Sequence, residues 1–216
     1  QLLITSCHLC GGMFLLVHLQ ANRREVVLFS LLGLLNIPFF SKFALFIIIH
    51  NNMEVKVKSK LLFVCLGNIC RSPAAEGVMK QVLEDRGMAN LFEVDSAGIG
   101  GWHVGELPDS RMRKCGNARG FSFNSRARQF SEEDFKRFDH IFVMDNENCK
   151  MLSQKTSDAN DMAKVKMLVN YATKHPDAKL IPDPYYGNEK DFFYALDLIE
   201  DAANGLADKL EKGTEI

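Results

Sequence analysis

From residue 60 onward, short apolar runs alternate with longer stretches of helical spacing. Lys60 to Val64 (KLLFV) predicts a buried strand. Ala75, Val78, Met79, Val82 and Leu83 then recur at helical intervals, which predicts a helix over Pro73 to Arg86. Pro73 suits its first turn and Gly87 its exit. Phe92 to Ser96 (FEVDS) reads as a second strand and Pro108 to about Ala118 as a second helix. Ser131-x-x-Asp134 resembles a capping box opening a brief helix. His140 to Met144 (HIFVM) predicts a third strand, Asn146 to Ser153 a helix, and Lys164 to Leu168 (KVKML) a fourth strand. A long amphipathic helix closes the series over Asn188 to Leu210, with Phe192, Ala195, Leu196, Ile199, Ala203 and Leu206 along one face. Strands alternating with helices predict an α/β fold, a parallel sheet with helices on both faces.

The first 52 residues follow a different pattern. Val26 to Ile49 is long enough to span a bilayer, yet Asn36, Pro38, Ser41 and Lys42 interrupt its second half. Three readings stay open: a membrane anchor flanked by Arg23 and Arg24, a targeting leader, or an extension foreign to the mature protein. The chain starts at Gln1, whereas Met53 opens a short polar lead into the first clear strand. The expected organisation is therefore an apolar extension over 1–52 and an enzyme-like domain over 53–216. Cys7 and Cys10 form a C-x-x-C near His8 and His18, but no second pair completes a four-ligand zinc site. This stretch is expected to be unstructured or apolar filler.

Composition sharpens that division. Across 216 residues, 26 Lys+Arg stand against 27 Asp+Glu, and 47% of positions are hydrophobic. These values exclude a wholly disordered or collagen-like chain. The lack of a basic excess argues against a general nucleic-acid binder. The averages cover two unlike parts: 31 of the first 52 residues are hydrophobic, and only Arg23, Arg24, Glu25 and Lys42 are charged.

Candidate chemistry lies between the first strand and first helix, in Cys65-Leu66-Gly67-Asn68-Ile69-Cys70-Arg71-Ser72-Pro73. Strand-to-helix turns at the C-terminal edge of a parallel sheet are where such folds bind ligands. Gly67 is expected to permit the backbone angles that curl a loop around an anion. Successive N–H groups of Leu66, Gly67, Asn68, Ile69 and Cys70, with the helix N-terminus, would cradle a tetrahedral oxyanion. Arg71 can grip two of its oxygens, and the same positive field would hold Cys65 as a nucleophilic thiolate. Cys-x5-Arg is a weak signal by itself; the flanking strand and helix, Gly67 and Ser72 make it specific. A cysteinyl phosphatase also needs a proton donor, and Asp183-Pro184-Tyr185-Tyr186-Gly187 supplies Asp183 on a shaped loop with two aromatic side chains.

CLGNICRSP followed by DPYYG resembles the low-molecular-weight protein tyrosine phosphatase family, over roughly residues 59–212. Asp95-Ser96-Ala97-Gly98, Trp102-His103-Val104-Gly105, Arg126-Ala127-Arg128-Gln129 and Val143-Met144-Asp145 fall in the family's order. The resemblance implies a three-layer αβα Rossmann-like fold with a four-stranded parallel sheet, a phosphocysteine intermediate, and no metal or other cofactor. It implies Cys65 as nucleophile, Arg71 as phosphate ligand and Asp183 as general acid and then base. It further implies Asn68 and Ser96 as a network holding the loop, and Ser72 as the hydroxyl that eases thiolate departure. Trp102, Tyr185 and Tyr186 become cleft walls, and Asp145 a structural acid near the loop or a helix cap. Ser125 stands where family members often carry a His tied to the loop Asn, so a somewhat altered loop stability is expected. Cys70 resembles the neighbour that can form a protective disulfide with the nucleophile; loop packing is its alternative role.

The implied substrates are phosphotyrosine proteins and small aryl phosphates, in a cytoplasmic setting, with membrane contact only if residues 26–49 are an anchor. An arsenate reductase on the same fold would need a relay of further cysteines, and Cys115 and Cys149 are single and widely separated. A protein arginine phosphatase typically has Thr at the position of Ile69, so Ile69 with Tyr185 and Tyr186 favours phosphotyrosine.

Overall fold

Leu61, Leu62, Phe63 and Val64 are all fully buried, so the first clear strand is apolar on both faces because it sits at the centre of a sheet. The computed structural model describes residues 3–9, 12–18, 58–214 and 216. The chain divides into two units, Gln1–Val55 and Lys56–Ile216. In the first, β1 (Leu3–Leu9) pairs antiparallel with β2 (Gly12–His18), Leu3 opposite His18 and Leu9 opposite Gly12. Of the two expectations for this stretch, unstructured chain or apolar filler, the first is corrected for Leu3–Leu9 and Gly12–His18, which form strands. The apolar stretch 26–49 lies outside the described residues. Among the described residues, no helix is long and apolar enough to cross a membrane.

The second unit begins with β3 (Ser59–Cys65) and α1 (Arg71–Asp85), followed by β4 (Phe92–Gly98) and α2 (Ser110–Ala118). Next come α3 (Glu133–Arg137), β5 (His140–Val143), α4 (Asn146–Ser153), α5 (Ala159–Ala163) and β6 (Val165–Met167). A 3-10 turn over Leu168–Tyr171 leads to the final helix, α6 (Glu189–Glu211). The sheet is parallel throughout, in the order β4-β3-β5-β6. The chain moves from β3 to one side and then crosses back to β5 on the other, so a crevice opens at the C-terminal ends of β3 and β5.

Side-chain alternation along β3 separates two apolar layers. Leu61, Phe63 and Cys65 join a core with α1, α2 and α6, while Leu62 and Val64 pack with Phe130, Phe135, Phe138 and Leu152 beneath α3 and α4. The predicted face of α6 is buried without exception: Phe192, Ala195, Leu196, Ile199, Ala203 and Leu206 are all fully covered. Each large side chain so buried stabilises the fold by roughly 1.5–3 kcal/mol. Asn188 and Asp191 form the capping box that starts this helix. Gly87, with φ of 69°, ends α1 where the sequence placed its exit. Helix α1 starts two residues before Pro73, which therefore occupies the first turn, where no intrahelical donor is needed. At α3 half of the expected capping box forms: the Asp134 carboxylate accepts from Ser131 N–H at 2.9 Å. Helix α5, with no buried residue, carries no apolar stripe from which it could be read.

Asp201 of α6 ties down the segment after the 3-10 turn. Its carboxylate accepts from the backbone N–H of Thr173, Lys174 and His175, the Thr173 hydroxyl and His175 Nδ1. Burial alone would raise its pKa, but these donors, led by Thr173 N–H and His175, lower it from 3.8 to about 2. A depressed carboxyl stabilises the fold above its unfolded pKa, and that contribution is lost as pH falls from about 4 through about 2. Asp201→Asn is expected to lower unfolding stability at neutral pH by about 2 kcal/mol. Thermal melts from pH 5 to pH 2 check this, because the variant should lose part of the acid dependence seen in the natural protein.

Candidate active site

The loop after β3 turns its carbonyls outward. Cys65 O accepts from Ile99 N, Leu66 O from Gly100 N, Ile69 O from Asp109 N and Cys70 O from Ala74 N, at 2.7–3.3 Å. The amides of Leu66, Gly67, Asn68, Ile69 and Cys70 donate to no described residue. A run of unpaired N–H groups ahead of a helix N-terminus is an anion cradle. The left-handed residue that shapes it is Asn68, with φ of 57°. This corrects the expectation for Gly67, whose φ is not positive; a side chain there would instead press on the His103 ring, 3.3 Å from an ideal Cβ. Gly98 matters for a related reason, since a Cβ on it would stand 2.8 Å from the Gly67 carbonyl carbon.

Asn68 keeps its uncommon conformation through its side chain. Nδ2 donates to Ser72 Oγ at 2.9 Å and to Ser96 Oγ at 2.8 Å, and Oδ1 accepts from Arg128 N–H at 2.9 Å. All three bonds are direct, and none of them uses Ser125. Ser72 Oγ in turn lies 3.0 Å from Cys65 Sγ. Cys65 is 3% exposed, at the floor of the loop.

Arg71 is 2% exposed, and its guanidinium gathers three groups from two distant parts of the chain. Nη1 donates to Asp145 Oδ2 at 2.5 Å and to the Ile181 carbonyl at 3.2 Å, while Nη2 donates to Asp183 Oδ2 at 2.6 Å. Burial would lower its pKa, but Cys65, Asp183 and Asp145 outweigh that and raise it, so the cation is secure. Arg71 Nε is buried with no partner among the described residues. Asp145 serves both roles expected of it, because Oδ1 also caps α4 by accepting from Asn148 N–H at 2.7 Å. Burial, reinforced by Asp109, Cys65 and Asp183, pushes the Cys70 thiol far above the ordinary cysteine range. Cys65 and Cys70 are both free thiols.

The DPYYG loop brings Asp183 to Arg71, and Tyr185 N–H donates back to Asp183 Oδ1 at 3.2 Å. Tyr185 is half-buried and meets Tyr186 edge to face at 4.9 Å. Tyr186 and Trp102 are 97% and 70% exposed, and Trp102 lines a surface pocket with Ile99, Gly100, Met151, Gln154 and Lys155, none of them from the DPYYG loop. Two contributors escaped the sequence reading. Arg111, paired with Asp109, lies over the Tyr185 ring at 5.5 Å and the Phe192 ring at 4.6 Å, bracing the Tyr185 ring. Glu76, buried on α1, accepts from Ser96 Oγ at 2.6 Å; a lone acid among Ala74, Ala75, Val78 and Met79 was its available signal. Among the described residues, no cluster of His, Cys, Asp or Glu has the arrangement of a metal site.

A parallel sheet whose first strand-to-helix turn carries a cysteine, an amide cradle and a buried arginine defines a class: α/β proteins built to bind a tetrahedral oxyanion beside a thiol. Residues 60–215 match the family model described as low molecular weight phosphotyrosine protein phosphatase. The chain belongs to that family. It is 41% identical to the low molecular weight phosphotyrosine protein phosphatase of Sus scrofa over 142 residues, covering 65% of this chain and 88% of the relative. A low molecular weight protein-tyrosine-phosphatase of Streptomyces coelicolor is 40% identical over 148 residues, covering 68% and 90%. Among solved structures, the protein tyrosine phosphatase of Entamoeba histolytica superposes with a TM-score of 0.69 at 46% identity, over 72% of this chain and 99% of its own.

Proposed function

We propose that the chain hydrolyses phosphotyrosine and small aryl phosphates through a covalent phosphocysteine. The phosphate dianion enters the cradle formed by the amides of residues 66–70 and takes Arg71 Nε and Nη2 as a bidentate ligand. The Cys65 thiolate attacks phosphorus in line with the departing phenolic oxygen, which takes a proton from Asp183. Asp183, now a carboxylate, takes a proton from water; the resulting hydroxide attacks phosphorus, the S–P bond breaks, and inorganic phosphate leaves. Ser72 Oγ, 3.0 Å from the sulfur, donates a hydrogen bond to the thiolate as it departs. No step calls for a metal or other cofactor. The free thiols at Cys65 and Cys70 suit a reducing compartment such as the cytoplasm.

The observation that carries this reading is the buried, unpartnered Arg71 Nε beside five unpaired loop amides. Such polar groups are costly to leave unmade, and a phosphate would satisfy them together. Cys115 packs in the core beneath α1 and α6, whereas Cys149 packs against the core on the other face of the sheet. That separation argues against an arsenate-reducing cysteine relay. A side-by-side assay of phosphotyrosine, phosphoarginine and arsenate tests the proposal. Phosphotyrosine should give the highest kcat/KM, by about 100-fold or more, as expected where aromatic walls discriminate by about 3 kcal/mol. Preference for phosphoarginine, or thiol-dependent arsenate reduction, would displace it.

A further inference from the structure

Glu76 lies within the apolar face of α1 and is 4% exposed. A buried carboxylate is costly unless its oxygens are paired. Oε1 takes the ammonium of Lys80, one helical turn on, and Oε2 takes the Ser96 hydroxyl at 2.6 Å. The Lys80 side chain is 52% exposed, so that pair is largely screened by solvent. The Ser96 bond is buried, and it leads into the catalytic loop.

Following it inward, Ser96 Oγ accepts from Asn68 Nδ2 at 2.8 Å. The same nitrogen donates to Ser72 Oγ at 2.9 Å, and Ser72 Oγ stands 3.0 Å from Cys65 Sγ. The direction of each bond can be assigned. Asn68 Nδ2 can only donate, so a Ser96 lone pair faces it and the single Ser96 proton goes to Glu76 Oε2. The Asn68 amide cannot turn over, because Oδ1 is held by Arg128 N–H. Both Nδ2 protons are thus spoken for, and Ser72 receives one of them. The Ser72 proton is then left for Cys65 Sγ or for the Ala97 carbonyl at 3.3 Å. The chain also holds Asn68 in its left-handed conformation, which is uncommon for a residue with a Cβ.

We propose that Glu76 is a positioning residue of the active site, its carboxylate fixing the hydrogen bonds that run through Ser96 and Asn68 to Ser72 and the Cys65 thiol. The inference rests on Cys65 being the nucleophile of the proposed reaction. The alternative, a helix surface pair of Glu76 with Lys80, would leave Cys65 untouched.

The test uses the full chain carrying Glu76→Leu, Glu76→Gln, Ser96→Ala or the Glu76→Leu/Ser96→Ala pair. Three quantities are read: kcat and KM for p-nitrophenyl phosphate, the rate of Cys65 carboxymethylation by iodoacetate, and the unfolding midpoint. Cys149, against the opposite core, is the internal control for alkylation. Glu76→Leu and Ser96→Ala should each lower kcat by about 10-fold, with KM changed by less than about 3-fold. Both should slow Cys65 carboxymethylation by a similar factor and leave Cys149 unchanged. The double variant should be no worse than either single one, as residues acting through one chain are not additive. Glu76→Gln keeps an acceptor for Ser96 and should stay within about 3-fold of the natural protein. Wild-type turnover and Cys65 reactivity in Ser96→Ala, or multiplying effects in the double variant, would overturn the proposal. Should Glu76→Leu fail to fold, Ser96→Ala and Glu76→Gln decide the matter alone. If the natural protein hydrolyses no aryl phosphate yet Ser96→Ala still slows Cys65 carboxymethylation, the proposed reaction falls and the positioning role stands.

Discussion

Cys65→Ser is expected to abolish hydrolysis of p-nitrophenyl phosphate, lowering kcat by at least about 10⁴-fold, as for loss of a covalent nucleophile. A serine hydroxyl is a far weaker acid than a thiol and a poorer nucleophile at neutral pH, and among the described residues Ser72 Oγ is the side chain hydrogen-bonded to Sγ. The cradle amides and Arg71 are untouched, so the variant should still bind phosphate or vanadate weakly. Serine is close in size to cysteine, and the residue is 3% exposed, so folding should persist. Cys70 cannot substitute, because burial and nearby acids keep it a neutral thiol. Isothermal titration with vanadate and an initial-rate assay on one preparation separate the two effects. Turnover at the natural rate in Cys65→Ser would refute the covalent mechanism outright.

Much of the fold can be read along the chain because its signals are local. An apolar run such as Leu61 to Val64 can be buried on both faces only in a central strand. The stripe from Phe192 to Leu206 can be satisfied only against a core. The position of the Cys65 to Pro73 loop was equally legible, since the cysteine, the loop amides and the arginine are contiguous. What escapes is whatever the sheet assembles across distance. Arg71 meets Asp145 and Asp183 across 74 and 112 residues. Nothing in the spacing of these acids says that both converge on one guanidinium; the parallel order β3-β5 does so by bringing the end of β5 beside the loop. The identity of the left-handed residue escaped for another reason. Glycine is the default for such backbone, but Asn68 adopts it because three side-chain hydrogen bonds offset the steric cost. Glu76 illustrates a third limit: its partner Ser96 lies on β4, and only the packing of α1 on the sheet joins them.

Asp183→Ala should divide substrates by their leaving groups. Tyrosine's phenolate has a pKa of about 10 and departs slowly as an anion, so hydrolysis of phosphotyrosine is expected to fall by about 10²–10⁴-fold. A nitrophenolate is a far more stable anion, and loss of the acid should slow its release much less. The ratio of the two kcat values therefore reports proton donation itself, apart from any general damage to the site. Geometry adds a second signature. Asp183 Oδ2 accepts from Arg71 Nη2 at 2.6 Å, so a phosphate has to compete with it for the guanidinium. Removing the carboxylate frees that nitrogen, and KM should hold steady or fall while kcat drops. Asp145 remains on Nη1, at 2.5 Å, to keep the guanidinium in place. Equal losses for both leaving groups would assign Asp183 to binding alone. A rise in KM with kcat intact would do the same, because the carboxylate would then be holding Arg71 in position without transferring a proton.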